Sequence, residues 1–338
     1  MVDFQKLYRK CSRANLLGKP CHELQDFLDK SGSILTINEH AVSSFKSIEG
    51  YAVQTDACRA FFPKQTVAEL KVKASSRLDY IREQCLKVDF VTPPFIQNQL
   101  LRKFSKAIKT GSDLEKVAEE FAPRMYGLDG ISALSVEIYR KNNDFTKYSR
   151  QIDESIEAFY LGLNRVAITS LMPCIEGIIR DIGIKIGISC EEHVNVNQFV
   201  NILEKIQRRI IKNLVFNDFD WVPSDFKSIS LHDRFNEQIQ MVESLKYFLN
   251  NGLYQHTASY QGSTNLNRNG VVHGFITDFS SAVNFYRLIT VLNMLYVCSV
   301  LTGNNGSLFY PPTSDESKVL EKRLASMIIF QRVLNGNA

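Results

Sequence analysis

The stretch AVNFYRLITVLNMLYVCSVL, residues 282–301, is a nearly continuous apolar run of helical length, and it decides the fold class. Asn284, Arg287 and Asn293 interrupt the run, and the part that follows Arg287 is only 14 residues long. A membrane-spanning helix needs about 20 predominantly apolar residues, whereas this shorter run has the length of a buried core helix. We therefore predict that residues 282–301 form the buried core helix of a globular protein rather than a membrane span.

Apolar residues recur at helical spacing through most of the remaining chain, and alternating strand patterns are scarce. The sequence therefore predicts a mainly α fold. In the first part of the chain, we predict helices over residues 3–13, 39–61, 66–88, 94–109 and 113–121. We predict one short strand over residues 31–37.

The chain becomes polar around residues 142–144, and a new apolar-periodic segment begins near Tyr148. We therefore predict two domains, a helical N-terminal domain of residues 1–148 and a second helical domain of residues 149–338. Pro173 either kinks the first helix of the second domain or begins the next one. In the second domain, we predict helices over residues 149–186, 197–214, 231–249 and 282–301, and a last helix that begins at the capping box 313–316 and ends near residue 334.

The composition is that of a globular protein, because 338 residues with 44% hydrophobic content can bury a substantial core. The net charge of +4 permits a polyanionic partner without demanding one. The first residues, MVDFQKLYRKCSR, lack the basic and apolar regions of a signal peptide. We therefore expect a cytoplasmic protein that does not contact a membrane.

Seven cysteines are scattered along the chain without a C-x2-C pair, which argues against a disulfide framework and against a zinc ribbon. Cys11, Cys21 and His22 form the nearest approach to a metal cluster, but they lack a second pair of ligands. We therefore predict reduced, mostly buried thiols, no metal site and no cofactor.

A cation, an amide and an imidazole lie close together in the segment RNGVVH, residues 268–273. Arg268 offers a planar fork of donors to phosphate oxygens, Asn269 can donate an amide hydrogen bond, and His273 can take or give a proton near neutral pH. Cleavage of RNA by its own 2′-hydroxyl needs these actions and requires no metal. The segment therefore predicts chemistry on a phosphodiester.

Two hypotheses explain this segment. In the first, the functional hypothesis, the segment acts on a phosphodiester. In the second, the structural hypothesis, Arg268 and His273 only cap and pack a helix. The segment follows a loop of roughly 14 residues and precedes the apolar run, a location that presents polar side chains at the rim of a core. If a helix begins near Asn267, its first-turn amides add positive potential for a phosphate. The location favours the functional hypothesis.

The segment LNRNGVVHG, followed by the apolar run, resembles the HEPN superfamily (higher eukaryotes and prokaryotes nucleotide-binding), whose nuclease members carry Arg, a polar residue and then His near the start of the final core helix. The upstream segment SLMPCIEGIIRDI, residues 170–182, is similar to the preceding helix of bacterial, defence-associated members. The resemblance covers residues 149–303. It implies a HEPN-like helical bundle that forms a homodimer, in which two Arg–His motifs face each other and make one metal-independent ribonuclease site.

Carried onto this chain, the resemblance implies that Arg268 binds the phosphate, that Asn269 positions it, and that His273 is the acid or base. Many members have lost activity and serve as binding modules, but this chain keeps all three residues. We therefore predict a metal-independent endoribonuclease that leaves a 2′,3′-cyclic phosphate and a 5′-hydroxyl, as a toxin-like effector of antiphage defence or abortive infection. The alternative is a catalytically inactive helical interaction or nucleotide-binding module.

Four further residues are candidates for supporting roles. Glu176 and Arg180 lie four residues apart on a predicted helix, where they can form an intrahelical ion pair. Alternatively, Glu176 orients the Arg–His motif as a supporting carboxylate, as the resemblance suggests. His256 and Tyr254, in the loop before the motif, are candidates for a second proton-transfer group.

A basic stripe lies on the predicted helix over residues 197–214 and consists of Lys205, Arg208, Arg209 and Lys212. This stripe is either a solvated helix face or a surface that follows an RNA backbone. The expected partners are an RNA substrate, with tRNA as a candidate, and a second copy of the chain. We also expect a regulatory protein or another trigger to act through residues 1–148, because an unrestrained ribonuclease harms its host.

Overall fold

The computed structural model describes residues 2–30, 36–42, 47–72, 76–190, 195–334 and 336, and it describes only the backbone of residues 76–78. These residues form 15 α-helices and one three-stranded sheet. The protein is therefore mainly α, as the sequence predicts.

Among the described residues, seven α-helices and three strands lie in the first part of the chain, and eight α-helices follow. The elements of the first part are α1 (Phe4–Arg13), α2 (Cys21–Asp29), β1 (Thr36–Val42), β2 (Ile48–Gln54), β3 (Arg59–Pro63), α3 (Val67–Val72), α4 (Ser76–Leu86), α5 (Asn98–Thr110), α6 (Leu114–Met125) and α7 (Leu128–Ala133). The remaining helices are α8 (Ser149–Tyr160), α9 (Asn164–Lys185), α10 (Val196–Ile210), α11 (Ile229–His232), α12 (Glu237–Phe248), α13 (Arg268–Val272), α14 (Ala282–Leu301) and α15 (Asp315–Leu334). Three of the helices continue into π-helical turns, over Leu134–Tyr139, Ile211–Val215 and Leu249–Leu253.

The three strands form an antiparallel sheet in the order β1-β2-β3. The predicted helix over residues 39–61 is therefore wrong, and the N-terminal part of the chain is not helical throughout. Four consecutive residues of β2, from Gly50 to Val53, are buried, so this strand lacks the alternation that identifies a half-exposed strand in a sequence. Residues 31–35 of the predicted strand lie outside the described residues, and Thr36 and Ile37 begin β1.

The described chain divides into two compact units, which do not follow the predicted boundary at residue 148. The first unit comprises Met1–Asp79 and Gln207–Gln240, and the second comprises Tyr80–Ile206 and Met241–Ala338. Residues 80–148 belong to the second unit because they pack on α14. In that packing, the Tyr139 hydroxyl donates a hydrogen bond to Oδ1 of Asn293 at 2.7 Å.

The first unit is built around the sheet. Residues 207–240 join it through the backbone, where the amide of Phe61 donates to the carbonyl of Trp221 at 2.9 Å. Helices α1 and α2 contribute Leu7 and Leu24 to a core that they share with Phe62 of β3. The return of the chain at residues 207–240 explains why a single boundary does not divide this sequence.

Helix α14 is the central helix of the second unit, as predicted, because every residue from Val283 to Ser299 is buried. The fully buried guanidinium of Arg287 donates to both carboxylate oxygens of Glu115, at 2.5 and 3.1 Å, and to the carbonyl of Val88 at 3.0 Å. Among the described helices, α14 alone is long and apolar enough to cross a membrane, and nearly all of it is covered by the protein itself.

Two predicted helices of the second part are each divided in the structure. The predicted helix over residues 231–249 comprises the end of α11 and all of α12. The predicted helix over residues 149–186 is two helices, α8 and α9, because Gly162 adopts a left-handed φ of +80° between them. Pro173 lies inside α9. The last helix is confirmed and ends at Leu334. Its cap differs from the predicted box of residues 313–316, because Ser314 Oγ accepts a hydrogen bond from the Ser317 amide at 3.2 Å and Ser317 Oγ accepts one from the Ser314 amide at 2.9 Å.

Candidate active site

The Arg–His motif lies on α13, a short helix that Asn267 fixes in place. The buried Asn267 side chain accepts a hydrogen bond from the Gly270 amide at 2.8 Å through Oδ1, which caps the helix. Its Nδ2 group donates to the carbonyls of Gly252 at 3.0 Å and Gln255 at 2.8 Å. An asparagine can do both because its amide is at once a donor and an acceptor. This residue therefore ties the start of the motif to the loop that precedes it.

The motif does not open the core helix, which corrects the sequence prediction. Helix α13 ends at Val272, and residues 274–281 separate His273 from α14. Gly274 adopts a φ of +76°, a left-handed conformation that ends the helix, and the Ile276 amide then donates to the Gly270 carbonyl at 2.9 Å. The chain therefore folds back on α13, and a side chain at Gly270 would collide with Ile276.

A buried carboxylate holds Arg268. Nε of Arg268 donates to Oε1 of Glu176 at 2.7 Å, and the side chains of these residues are 21% and 6% exposed. Glu176 lies in the middle of α9. The structure thus contains the contact between Glu176 and Arg268 that is required if Glu176 orients the Arg–His motif. Arg180, one helical turn further along α9, adds positive charge near Tyr254.

The contact with Glu176 uses only one of the five N–H donors of the Arg268 guanidinium. A long hydrogen bond of 3.4 Å joins Nη1 of Arg268 to Oδ1 of Asn269. This bond uses Oδ1 of the Asn269 amide, so the Nδ2 group of the same amide can still donate to a ligand. Arg268 and Asn269 are both half-buried, so their remaining donors can reach an anion at the surface.

His273 is the C-cap residue that follows the last residue of α13, and its side chain is exposed. Its imidazole makes no hydrogen bond with any residue that the structure describes, and its nearest aromatic neighbour is Phe275, with ring centroids 6.4 Å apart. The His273 backbone caps the end of α13, which agrees with the structural hypothesis, but the His273 side chain does not pack against the helix. An exposed imidazole without a partner is accessible for proton transfer.

Tyr254 lies next to the Arg268–Glu176 pair but does not suit the proton-transfer role predicted for it. Its hydroxyl is buried and makes no hydrogen bond of ordinary geometry with the described residues. Burial first, and then the Glu176 carboxylate, raise the pKa of Tyr254 well above 10, while the charges of Arg268 and Arg180 oppose this rise. The Tyr254 hydroxyl therefore stays protonated near neutral pH and away from solvent.

His256, the other predicted auxiliary residue, is exposed in the same loop. Its Nδ1 accepts a hydrogen bond from the Ala258 amide at 3.3 Å. The residue before it, Gln255, binds Asn267 through its carbonyl, and the residue after it, Thr257, makes a long hydrogen bond of 3.5 Å to Oδ1 of the same asparagine. The residues on either side of His256 therefore connect it to Asn267, at the start of the motif.

The basic stripe is divided between the two units. Lys205 belongs to the second unit, where its Nζ donates to the Gly187 carbonyl at 3.1 Å. Arg208, Arg209 and Lys212 belong to the first unit, and Arg208 and Lys212 are exposed. The stripe therefore does not form one surface within the unit that carries the Arg–His motif.

Sequence reasoning missed two features of this site. Val272 and Phe275, on either side of His273, are 52% and 74% exposed, which leaves an apolar surface beside the imidazole. No pattern in the sequence distinguishes these residues from buried ones. The second feature is the pair of hydrogen bonds from Nδ2 of Asn267 to the preceding loop. The other role of Asn267, as the N-cap of α13, has a sequence signal, because Asn is a preferred residue directly before a helix.

No three His, Cys, Asp or Glu side chains among the described residues lie close enough together to hold a metal ion. All seven cysteines are free, and Cys11, Cys85, Cys174 and Cys298 are buried. Comparison with protein-family models, with curated proteins and with solved structures finds no match for this chain.

Proposed function

We propose that the chain is a metal-independent endoribonuclease with Arg268, Asn269 and His273 at its active site. The observation that carries the proposal is the combination of a guanidinium fixed by a buried carboxylate at 2.7 Å with an exposed imidazole at the other end of the same helix. A fixed cation binds a phosphate without first losing side-chain freedom, which suits electrostatic stabilisation of a transition state. The resemblance to the HEPN superfamily adds to this support.

The proposed reaction is a transesterification within the RNA. The 2′-oxygen attacks the adjacent phosphorus and loses its proton to a base, while the bond from phosphorus to the 5′-oxygen breaks and that oxygen receives a proton from an acid. Arg268 binds the non-bridging phosphoryl oxygens, Asn269 positions them, and His273 transfers one of the protons. The products are a 2′,3′-cyclic phosphate and a 5′-hydroxyl.

A homodimer is part of the proposal, because one motif supplies one imidazole and the reaction transfers two protons. A two-fold axis beside α13 brings a second His273 to the same phosphate. Helix α14 does not support this dimer, since its own unit covers it. Val272 and Phe275 do support it, because apolar side chains exposed beside the motif are suited to a subunit contact.

The alternative function is a catalytically inactive interaction or nucleotide-binding module. The same ion pair is the observation that favours it, because Glu176 already neutralises much of the charge of Arg268. In this case α13 and its exposed apolar neighbours serve only a subunit contact. The exposed imidazole of His273 favours the enzyme, because it is accessible to a substrate for proton transfer.

The biological setting of the proposal rests on the resemblance alone. It is that of a toxin-like effector in antiphage defence, which acts on cytoplasmic RNA such as tRNA and is restrained until a trigger arrives. The first unit, which contains the sheet, is the part of the chain that we assign to such regulation.

Incubation of the purified chain with total tRNA and other RNA in excess EDTA tests the proposal against its alternative. We expect cleavage that survives chelation and that disappears in His273→Ala. His22→Ala is the matched control, since it removes another exposed histidine, from the first unit. Absence of cleavage of every RNA by the wild-type dimer would favour the inactive module.

A further inference from the structure

The first unit contains a pocket of about 280 Å³ with a cationic rim. Its basic residues are Arg208 and Lys212, from the predicted basic stripe, and Lys227, which follows in the chain. Lys212 and Lys227 are exposed, and neither forms an ion pair with a residue that the structure describes. The single acidic residue of the pocket lining is Asp220, whose Oδ2 accepts a hydrogen bond from the Arg59 amide at 2.8 Å. The pocket therefore carries a net positive charge.

The wall of the pocket is apolar and rigid. It consists of Ile211, Phe216, Phe219 and Val222. The ring centroids of Phe216 and Phe219 lie 5.8 and 5.2 Å from that of Phe61, so the aromatic wall is packed against a residue of β3. A wall held in this way is available before a ligand arrives, which lowers the entropic cost of binding.

Additional positive charge lies over the ring of Phe219. The guanidinium carbon of Arg59 is 4.9 Å from the ring centroid of Phe219, and the buried Nε of Arg59 has no hydrogen-bond partner among the described residues. A cation in this position adds to the positive potential at the ring. The feature is independent of the residues on the rim, and it points to the same class of ligand.

We propose that this pocket binds a free nucleotide, with the phosphates on Lys212, Lys227 and Arg208 and the base on the wall that includes Phe219. Pockets for small ligands are lined mainly by apolar side chains and have a few polar groups that set orientation, and most enclose about 300–1,000 Å³. A volume of about 280 Å³ is just below this range, and it suits part of one nucleotide rather than a longer polymer. The site belongs to the unit that does not carry the Arg–His motif, and it does not depend on ribonuclease activity.

Titration calorimetry of the full chain with ATP, GTP, CTP and UTP, each alone, tests this site. We expect at least one of them to bind once per chain, and tripolyphosphate to bind at least about tenfold more weakly than that nucleotide, because it lacks the base. Lys212→Glu combined with Lys227→Glu is expected to weaken nucleotide binding by about tenfold or more. The matched control is Arg9→Glu combined with Lys30→Glu, which reverses two exposed charges of the same unit outside the pocket lining and is expected to bind as the wild type does.

Phe219→Ala separates the role of the base from that of the charges. We expect it to weaken binding of the nucleotide and to leave binding of tripolyphosphate unchanged. The fluorescence of Trp221, the single tryptophan, reports whether each variant keeps the fold of this unit. The proposal is overturned by absence of binding for all four nucleotides, by equal binding of tripolyphosphate, or by wild-type affinity in the folded double variant. Binding of an RNA oligonucleotide that these charge reversals abolish, without binding of any free nucleotide, would also overturn it.

Discussion

Glu176 and Arg268, 92 residues apart in the sequence, form an ion pair of 2.7 Å between the middle of one buried helix and the first residue of the motif helix. The carboxylate is almost fully buried, whereas the guanidinium is partly exposed. A buried carboxylate needs a partner, so Glu176 fixes Arg268 in one orientation. This contact makes the proposed phosphate site a property of the fold rather than of one short segment.

Replacement of Glu176 by Gln is expected to weaken RNA cleavage by roughly tenfold or more, because the amide keeps the hydrogen bond to Arg268 but not the charge that orients it. We expect the thermal midpoint of unfolding to fall slightly. Cleavage rates and thermal unfolding of the same preparation provide the two measurements.

The matched control is Glu157→Gln, which removes the charge from another carboxylate of the second unit, paired with Arg323 at 2.9 Å. Its cleavage rate should equal that of the wild type. An unchanged rate in folded Glu176→Gln would mean that Arg268 does not need this carboxylate to act.

Arg268→Lys is expected to lose most activity although it keeps the charge. An arginine can donate to Glu176 through Nε and still offer its remaining donors to a phosphate, whereas a lysine has a single ammonium group. Single-turnover cleavage rates measure the loss, with Arg323→Lys as the control at an exposed ion pair. Near wild-type rates in Arg268→Lys would reduce the role of Arg268 to diffuse charge.

Phe275→Asp is expected to shift the protein from dimer to monomer and to reduce cleavage in parallel. Phe275 is 74% exposed beside His273, and burial of a charge in a subunit contact is unfavourable. Light scattering measures the mass, with and without RNA. Phe309→Asp is the control, because Phe309 is 83% exposed in the loop between α14 and α15. A monomeric variant with full activity would exclude a composite site and turn attention to His256.

The first unit is expected to lose stability as the pH falls below about 6.5. Burial lowers the pKa of His232 from its ordinary value of 6.5, although the hydrogen bond between its Nε2 and the Phe226 carbonyl opposes this shift. The unfolded chain therefore takes up a proton near pH 6.5 that the folded chain takes up only at lower pH, so acid favours unfolding.

Urea unfolding followed through Trp221 fluorescence, at about pH 7.5 and about pH 5, measures this effect. In His232→Gln the loss of stability between these values should be smaller than in the wild type. His22→Gln, which removes an exposed histidine of the same unit, should retain the wild-type loss. The same loss in all three proteins would show that His232 does not contribute.

The sequence predicts the features of this fold that depend on composition and helical period. Helix α14 is predominantly apolar, so its burial follows from its composition. The position of α15 is predicted as well, although Ser314 and Ser317 cap it rather than the predicted box of residues 313–316. The sheet is not predicted, because β2 is buried on both faces. The division into units is not predicted either, because residues 207–240 return to the sheet and no local pattern encodes that return.

The candidate site is predicted in its residues but not in its surroundings. Arg268, Asn269 and His273 follow from their chemistry and spacing, and Glu176 follows from the resemblance. The turn at Gly274 separates the motif from α14, and the chain then packs Ile276 against Gly270. Helical periodicity does not predict this return of the chain. The burial of Tyr254, which removes it from proton transfer, likewise depends on packing.

The cleavage chemistry of one defined RNA oligonucleotide tests the central proposal most directly. In EDTA, the wild-type protein should cut it to give a 2′,3′-cyclic phosphate and a 5′-hydroxyl, and it should leave intact the same oligonucleotide with a 2′-deoxynucleotide before the cut. His273→Ala should reduce the rate by about 10²–10⁴ while the helical circular dichroism is retained. Cleavage of the deoxy-substituted oligonucleotide, or an undiminished rate in folded His273→Ala, would contradict the proposal.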